Sequence, residues 1–187
     1  MSAQPLQVKF TVEDFYQMIK HGILLENSRE EIIDGVLYRM PSSTPPHAAL
    51  HSKLGAYFFR RFDDKFSRVF TNCPITLDEY NEPIPDFCLL NKDKKEIGDR
   101  HPKADEVDLV LEIADETIDF DRDVKIPLYA AAKIPEVWLI NLTEGKIDVY
   151  SKSVGKVYNS RKIFQRGEVI QSEILPNLRL EVTTILD

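Results

Sequence analysis

The chain has 187 residues with 43% hydrophobic and 10% aromatic content, which suits one domain with a real core and argues against a disordered chain. Its net charge of −7 argues against coating nucleic acid through bulk charge, and leaves local binding open. No apolar run approaches the roughly 18 residues needed to span a bilayer, and "MSAQPLQVKF" lacks the basic, apolar and small-residue order of a signal peptide, so a cytoplasmic protein with no membrane partner is expected.

Thr11 with Asp14 three residues on resembles a capping box, so 12–20 reads as a short helix. "EEIIDGVLYRM" (30–40) places Asp34-Gly35 between two β-rich halves, a hairpin signal. From His47 to about Lys65, Leu50, Leu54, Tyr57, Phe58 and Phe62 recur at helical spacing, which predicts an amphipathic helix after the loop "PSSTPP". Strands are expected at 68–77, 84–90 and 107–114, with 91–106 as a charged, exposed loop. "DRDVKIPLYAAAK" (121–133) reads as a helix in which Pro127 demands either a late start or a bend. Strands follow at 136–141, 146–151 and near 157–164, and the tail from 168 is apolar enough to dock. This order predicts a mixed α/β fold, one domain over 1–187, with a central sheet flanked by helices. Cys73 and Cys88 form no CxxC pair and read as buried thiols. The basic clusters "RRFDDKFSR" (60–68), "KDKK" (92–95) and "SRK" (160–162) read as solvated faces.

Two acids stand where strands should be apolar: Asp86 in "PIPDFCLL" and Glu112 in "VDLVLEIAD". Alternation puts Asp86 on a face with Ile84, Cys88 and Leu90. It likewise puts Glu112 with Asp108, Val110 and Ala114, opposite Val107, Leu109, Leu111 and Ile113. If the two strands pair, Asp86 and Glu112 can be neighbours, with directly opposed Cβ atoms about 4.5–5.5 Å apart. Two bare carboxylates at that distance repel, and a divalent cation reverses the preference; hard oxygen donors suit Mg²⁺ or Mn²⁺. Each acid alone could equally pair with a lysine or arginine, or end a strand in solvent. Asp121, Lys125 and Tyr129, at i, i+4 and i+8, share a helix face; Lys125 can serve the site or simply pair with Asp121.

Taken in order, these pieces resemble the PD-(D/E)XK nuclease superfamily, with its restriction-endonuclease-like fold, and within it the Uma-two family. "EIIDGVLYRM" is similar to that family's "ELIDGELVxM", "SSTPPHAALHSKL" to its "SPxPxH", and "PIPDFCLL" to "xxPDVxVV". "LVLEIADETIDFDRDVKIPLYAAAKIPEVWLINL" resembles "LVVEVLSPSTxxxDxxxKxxxYxxAGVPEYWLVDP". The resemblance implies an endonuclease hydrolysing nucleic acid, DNA before RNA. Asp86, Glu112 and the backbone carbonyl of Ile113 would hold Mg²⁺ or Mn²⁺, and Lys125 would be the catalytic lysine, carried on the helix because Ala114 fills its usual position. It also implies supporting or phosphate-contacting roles for Glu31, His47 and Asp121, and a homodimer. Asp115 departs from the family's proline and adds an acid. His21, His51 and His101 match nothing, and Trp138 reads as core. The competing reading is a catalytically silent binding or scaffold module that keeps the fold.

Overall fold

The computed structural model describes residues 6–25, 29–62, 67–91, 93 and 97–186. Helix α1 (Val12–Lys20) begins with the expected box: Asp14 N donates to Thr11 Oγ1 at 3.0 Å and Thr11 N to Asp14 Oδ2 at 2.8 Å. Strands β1 (Glu30–Ile33) and β2 (Val36–Arg39) form the hairpin, and Asp34 and Gly35 take φ of 51° and 70° at its turn. A Cβ on Gly35 would come within 2.6 Å of Lys9 Cβ, so the site needs glycine for space as well as for φ. A bridge between Ile32 and Glu82 ties the hairpin to the segment that leads into Asp86.

Helix α2 (Pro45–Arg61) starts two residues before the expected His47, because Thr44 caps it and prolines are tolerated in a first turn. Its Leu50, Leu54 and Phe58 are buried, at a spacing that keeps one face inward. The expected end at Lys65 lies outside the described residues.

Six strands form the main sheet, in the order β3 (Ser67–Thr71), β4 (Phe87–Asn91), β5 (Val107–Ala114), β6 (Glu136–Asn141), β7 (Lys146–Val154) and β8 (Val157–Phe164). Only β5 and β6 run parallel within it; the other neighbours are antiparallel. The strand expected at 68–77 stops at Thr71, where Asn72 turns with φ 48°. The strand expected at 84–90 begins only at Phe87, since Pro83 and Pro85 have no N–H to pair. Among its described residues the loop 91–106 contains one short turn, Ala104–Glu106, of 3₁₀ type. A register shift between Leu89 and Leu90 brings Val107 opposite Leu90. Val107 therefore packs with Val110 and Ala114, not with Leu109 and Leu111 as strict alternation implied.

The sheet has an apolar cluster on each face. On one, Phe87, Leu111, Trp138 and Ile140 meet α2 and the tail. On the other, Cys88, Val110, Val137 and Leu139 meet Ile126, Tyr129 and Ile134. Trp138 is core, as read, and its Nε1 donates to Glu136 Oε1 at 2.6 Å. Cys88 is buried, Cys73 half-buried, and both are free thiols.

The segment between β5 and β6 is one helical run in three parts: α3 (Ile118–Phe120), a π-helical turn Asp121–Lys125, and α4 (Ile126–Ala131). It starts three residues earlier than expected. Ile126 N bonds to Asp121 O, five residues back. Pro127 offers no N–H to the Asp123 carbonyl, and the widened turn absorbs that loss without breaking the helix.

The tail docks, as expected. β9 (Val169–Gln171), β10 (Arg179–Glu181) and α5 (Val182–Leu186) contribute Ile170, Leu180, Val182 and Ile185 to the first cluster, and Leu178, just before β10, joins them. Glu136, fully buried, anchors it by accepting from Glu173 N at 2.8 Å. Of the basic clusters, "SRK" is paired rather than free: Arg161 lies 3.2 Å from Asp148 and Lys162 2.6 Å from Glu173. Much of "KDKK" and the centre of "RRFDDKFSR" lie outside the described residues. Among the described residues no helix is long and apolar enough to cross a membrane.

Because Leu178 is fully buried in the tail's contact with the sheet, Leu178→Ala should cost about 2–5 kcal/mol in urea unfolding. The exposed Ile163→Ala should stay within about 0.5 kcal/mol. Equal, small effects would mean that the tail does not pack on the core.

Candidate active site

At the end of β5 the apolar strand gives way to a cleft of about 670 Å³. Continuing the register Phe87↔Leu111 by one step sets Asp86 opposite Glu112, on the side of the sheet that carries Cys88 and Val110. Both acids line the cleft, as expected of neighbours. Asp86 is not itself in a ladder. Its Oδ2 accepts from Ile113 N at 2.7 Å, replacing the backbone partner that the proline segment does not offer. Its Oδ1 lies 3.1 Å from His47 Nε2, in the first turn of α2.

Glu112 is almost wholly buried and accepts at Oε1 from Tyr129 Oη at 2.6 Å, with Lys125 Nζ at 2.8 Å from the same oxygen. Lys125, only 2% exposed, also lies 3.4 Å from Glu31 and 3.8 Å from Asp121. The π-helical turn turns Asp121 and Lys125 inward together, and the hairpin brings Glu31 over them. The seven site residues singled out in the sequence (Glu31, His47, Asp86, Glu112, Ile113, Asp121 and Lys125) all line one cleft.

The Uma2 family, described as "Putative restriction endonuclease", matches residues 12–183. The chain belongs to that family. A crystal structure of a putative nuclease belonging to DUF820 from Anabaena variabilis is similar over 95% of this chain and 97% of that one, with a TM-score of 0.73 and 16% identity. At that identity the likeness establishes the restriction-endonuclease-like fold. The comparison with curated proteins gives no match.

In this Uma2 chain the charges are unevenly matched. Four carboxylates (Glu31, Asp86, Glu112 and Asp121) share the cleft with one buried ammonium, and its wall adds the acids Asp115 and Glu116 against the single guanidinium of Arg29. Burial pushes the Glu112 carboxyl up to about 8; Lys125 pulls it down, but Asp121, Asp86 and Glu31 push the other way. Burial likewise raises Glu31 and Asp121, against the pull of Lys125. Burial works against the Lys125 charge, yet Glu112, Glu31 and Asp121 together hold it charged well above the ordinary lysine range. One ammonium divided among several acids is firmly charged while each acid is only partly compensated. The hydrogen bond to Asp86 raises His47.

Glu31 Oε2 is buried with no hydrogen-bond partner among the described residues, and the surplus of carboxylate oxygen fits a hard divalent cation better than any soft one. Among the described residues no three carboxylate, imidazole or thiol groups already converge at metal-ligand spacing, since Lys125 stands among the acids.

Two other cleft residues were assigned no contact from the sequence, although Asp115 stood out there as an added acid. His51 stacks on Phe87 with centroids 4.5 Å apart and faces Asn72 across 3.3 Å; its position one helical turn after His47 was the available signal. Asp115 accepts from Thr44 Oγ1 at 2.7 Å, joining the loop after β5 to the cap of α2. No spacing connects Thr44 with Asp115, so only the fold reveals that contact.

Glu112 in the folded chain holds a proton at pH values where the unfolded chain, with the ordinary glutamate value of 4.5, has lost it. Metal-free protein should therefore lose stability as pH rises from about 4.5 to about 8; Glu31, Asp121 and His47 act in the same direction. Thermal melts in chelator should show this slope, and Glu112→Gln should flatten it. An unchanged slope in that variant would contradict the assignment.

Proposed function

We propose that this protein is a metal-dependent endonuclease that hydrolyses phosphodiester bonds of nucleic acid, DNA in the first instance, within the cleft at the end of β5. The observation that carries this reading is the gathering of Asp86, Glu112 and Lys125 from the segment just before β4, the end of β5 and the crossover helix, in the chain order that the resemblance implies. A polyanion cannot approach a cleft so rich in carboxylates unless added positive charge offsets them.

Asp86, Glu112 and the Ile113 carbonyl would hold Mg²⁺ or Mn²⁺, which when bound supplies Lewis-acid stabilisation of charge on the phosphate. Asp86 is held by two contacts, His47 on one oxygen and Ile113 N on the other, so its orientation is set before substrate arrives. Lys125 offers three protons from a flexible stem and can turn from Glu112 toward an oxygen of the phosphate or of the attacking water. His47, which lines the cleft beside Asp86, would contact a phosphate or pass a proton. Glu31 and Asp121 keep the ammonium charged and close at hand. Hydrolysis adds one water across the P–O bond: water oxygen bonds to phosphorus, and the leaving oxygen departs and takes up a proton. A homodimer, implied by the resemblance, would bring two such clefts to one duplex.

With Mg²⁺ or Mn²⁺ the purified protein should nick or cut DNA, and Asp86→Ala or Glu112→Ala should lower the rate on the order of 10³-fold while leaving the protein folded. Wild-type rates in both variants would assign the activity to another site or to a contaminant, and would favour a binding module. Lys125→Met should lower turnover about 10²-fold with a much smaller loss of Mn²⁺ affinity. Matched losses in the two quantities would contradict the role given to Lys125.

A further inference from the structure

The mechanism above leaves unused a buried phenol that touches Glu112. Tyr129 lies on α4, fully buried among Ile126, Val110 and Val137, and its backbone is pinned as well, with Ile134 N donating to its carbonyl at 3.0 Å. Its hydroxyl donates to Glu112 Oε1 at 2.6 Å, the same oxygen that Lys125 approaches at 2.8 Å. The two donors differ in freedom. Lys125 has a flexible four-carbon stem and further acceptors in Glu31 and Asp121. Tyr129 has a rigid ring held on its sides by packed core, and one proton to give.

We infer that Tyr129 is the positioning residue that fixes Glu112, holding Oε1 so that the second carboxylate oxygen remains available to the cleft when Lys125 swings toward the substrate. The inference rests on the nuclease reading for its purpose, though not for its geometry. A lysine that must move cannot also be the sole anchor of a ligand that must stay. Placing a fixed phenol and a mobile ammonium on one oxygen separates the two duties. Outer partners of metal-binding carboxylates orient them in this way, and losing one commonly costs affinity for the metal.

Two experiments decide it. Tyr129→Phe keeps the ring and removes the donor; with the metal alone, Mn²⁺ affinity read by electron paramagnetic resonance should fall about 10-fold or more. Replacing Tyr129 with 4-aminophenylalanine, which keeps a donor at the same place, should restore most of it. Wild-type affinity in Tyr129→Phe, or a loss that 4-aminophenylalanine fails to restore, overturns the inference. The second experiment leaves Tyr129 in place and needs no metal: crystals of metal-free Lys125→Met should show Glu112 still at hydrogen-bond distance from the Tyr129 hydroxyl. Glu112 turned away from Tyr129 in that variant overturns the inference, even if Tyr129→Phe does not fold. If the wild-type protein takes up no Mn²⁺, the metal-dependent reading falls by itself, and the metal-free crystals still decide whether Tyr129 positions Glu112.

Discussion

A buried ammonium surrounded by carboxylates is the constraint on which this end of the molecule depends. Lys125 is 2% exposed and would cost several kcal/mol to bury unpaired. It is tolerated because four separate pieces of chain deliver acids to it or to the same cleft: the hairpin with Glu31, the bend before β4 with Asp86, the end of β5 with Glu112, and the π-helical turn with Asp121. Such a cluster is a poor way to gain stability, since packed apolar side chains of equal volume usually do as well or better. Its presence beside a good core is a consequence of chemistry rather than of stability.

The fold supplies the place where that chemistry can sit. Strand β5 is buried on both faces for most of its length, yet between Val110 and Ala114 it carries Glu112 into the cleft. That is possible because β4 starts at Phe87 and the proline segment before it closes no ladder, so the far end of β5 has room for side chains in place of a neighbouring strand. The crossover to the parallel strand β6 then returns a helix over the same end, and its widened turn aims two charged residues inward where a regular helix would present a different pair of faces. Helix α2 closes the other side with His47 and His51, one turn apart.

Opposed demands meet in this cleft. Nucleic acid is a polyanion, and the protein is acidic both overall and at the site. The acids that would repel substrate are the same acids that a divalent cation needs, so a cation would turn the repulsion into binding without any change in the residues. The solved nuclease-fold relative shares 16% of its residues with this chain at a TM-score of 0.73, so the architecture tolerates wide drift in sequence. In this chain Asp115 ties the loop after β5 to the cap of α2.

Local patterns were sufficient for much of this. The Thr11–Asp14 box, the Asp34-Gly35 turn, the spacing of Leu50, Leu54 and Phe58, and the alternation around Asp86 and Glu112 are short-range consequences of backbone geometry, so the order of elements and the two acids were legible in the sequence. Helical spacing set Lys125 on one face with Asp121, and the resemblance made it the catalytic lysine and added Glu31 and His47. Three things were decided only by tertiary structure. The bulge beside Leu90 reassigned Val107, because register depends on the partner strand. Pro127 was absorbed by a widened turn rather than a late start, because the helix is held by what it packs against. Tyr129 reached Glu112, and Asp115 reached Thr44, because contacts between side chains far apart in the chain depend on how sheet and helices are stacked, which no local spacing encodes.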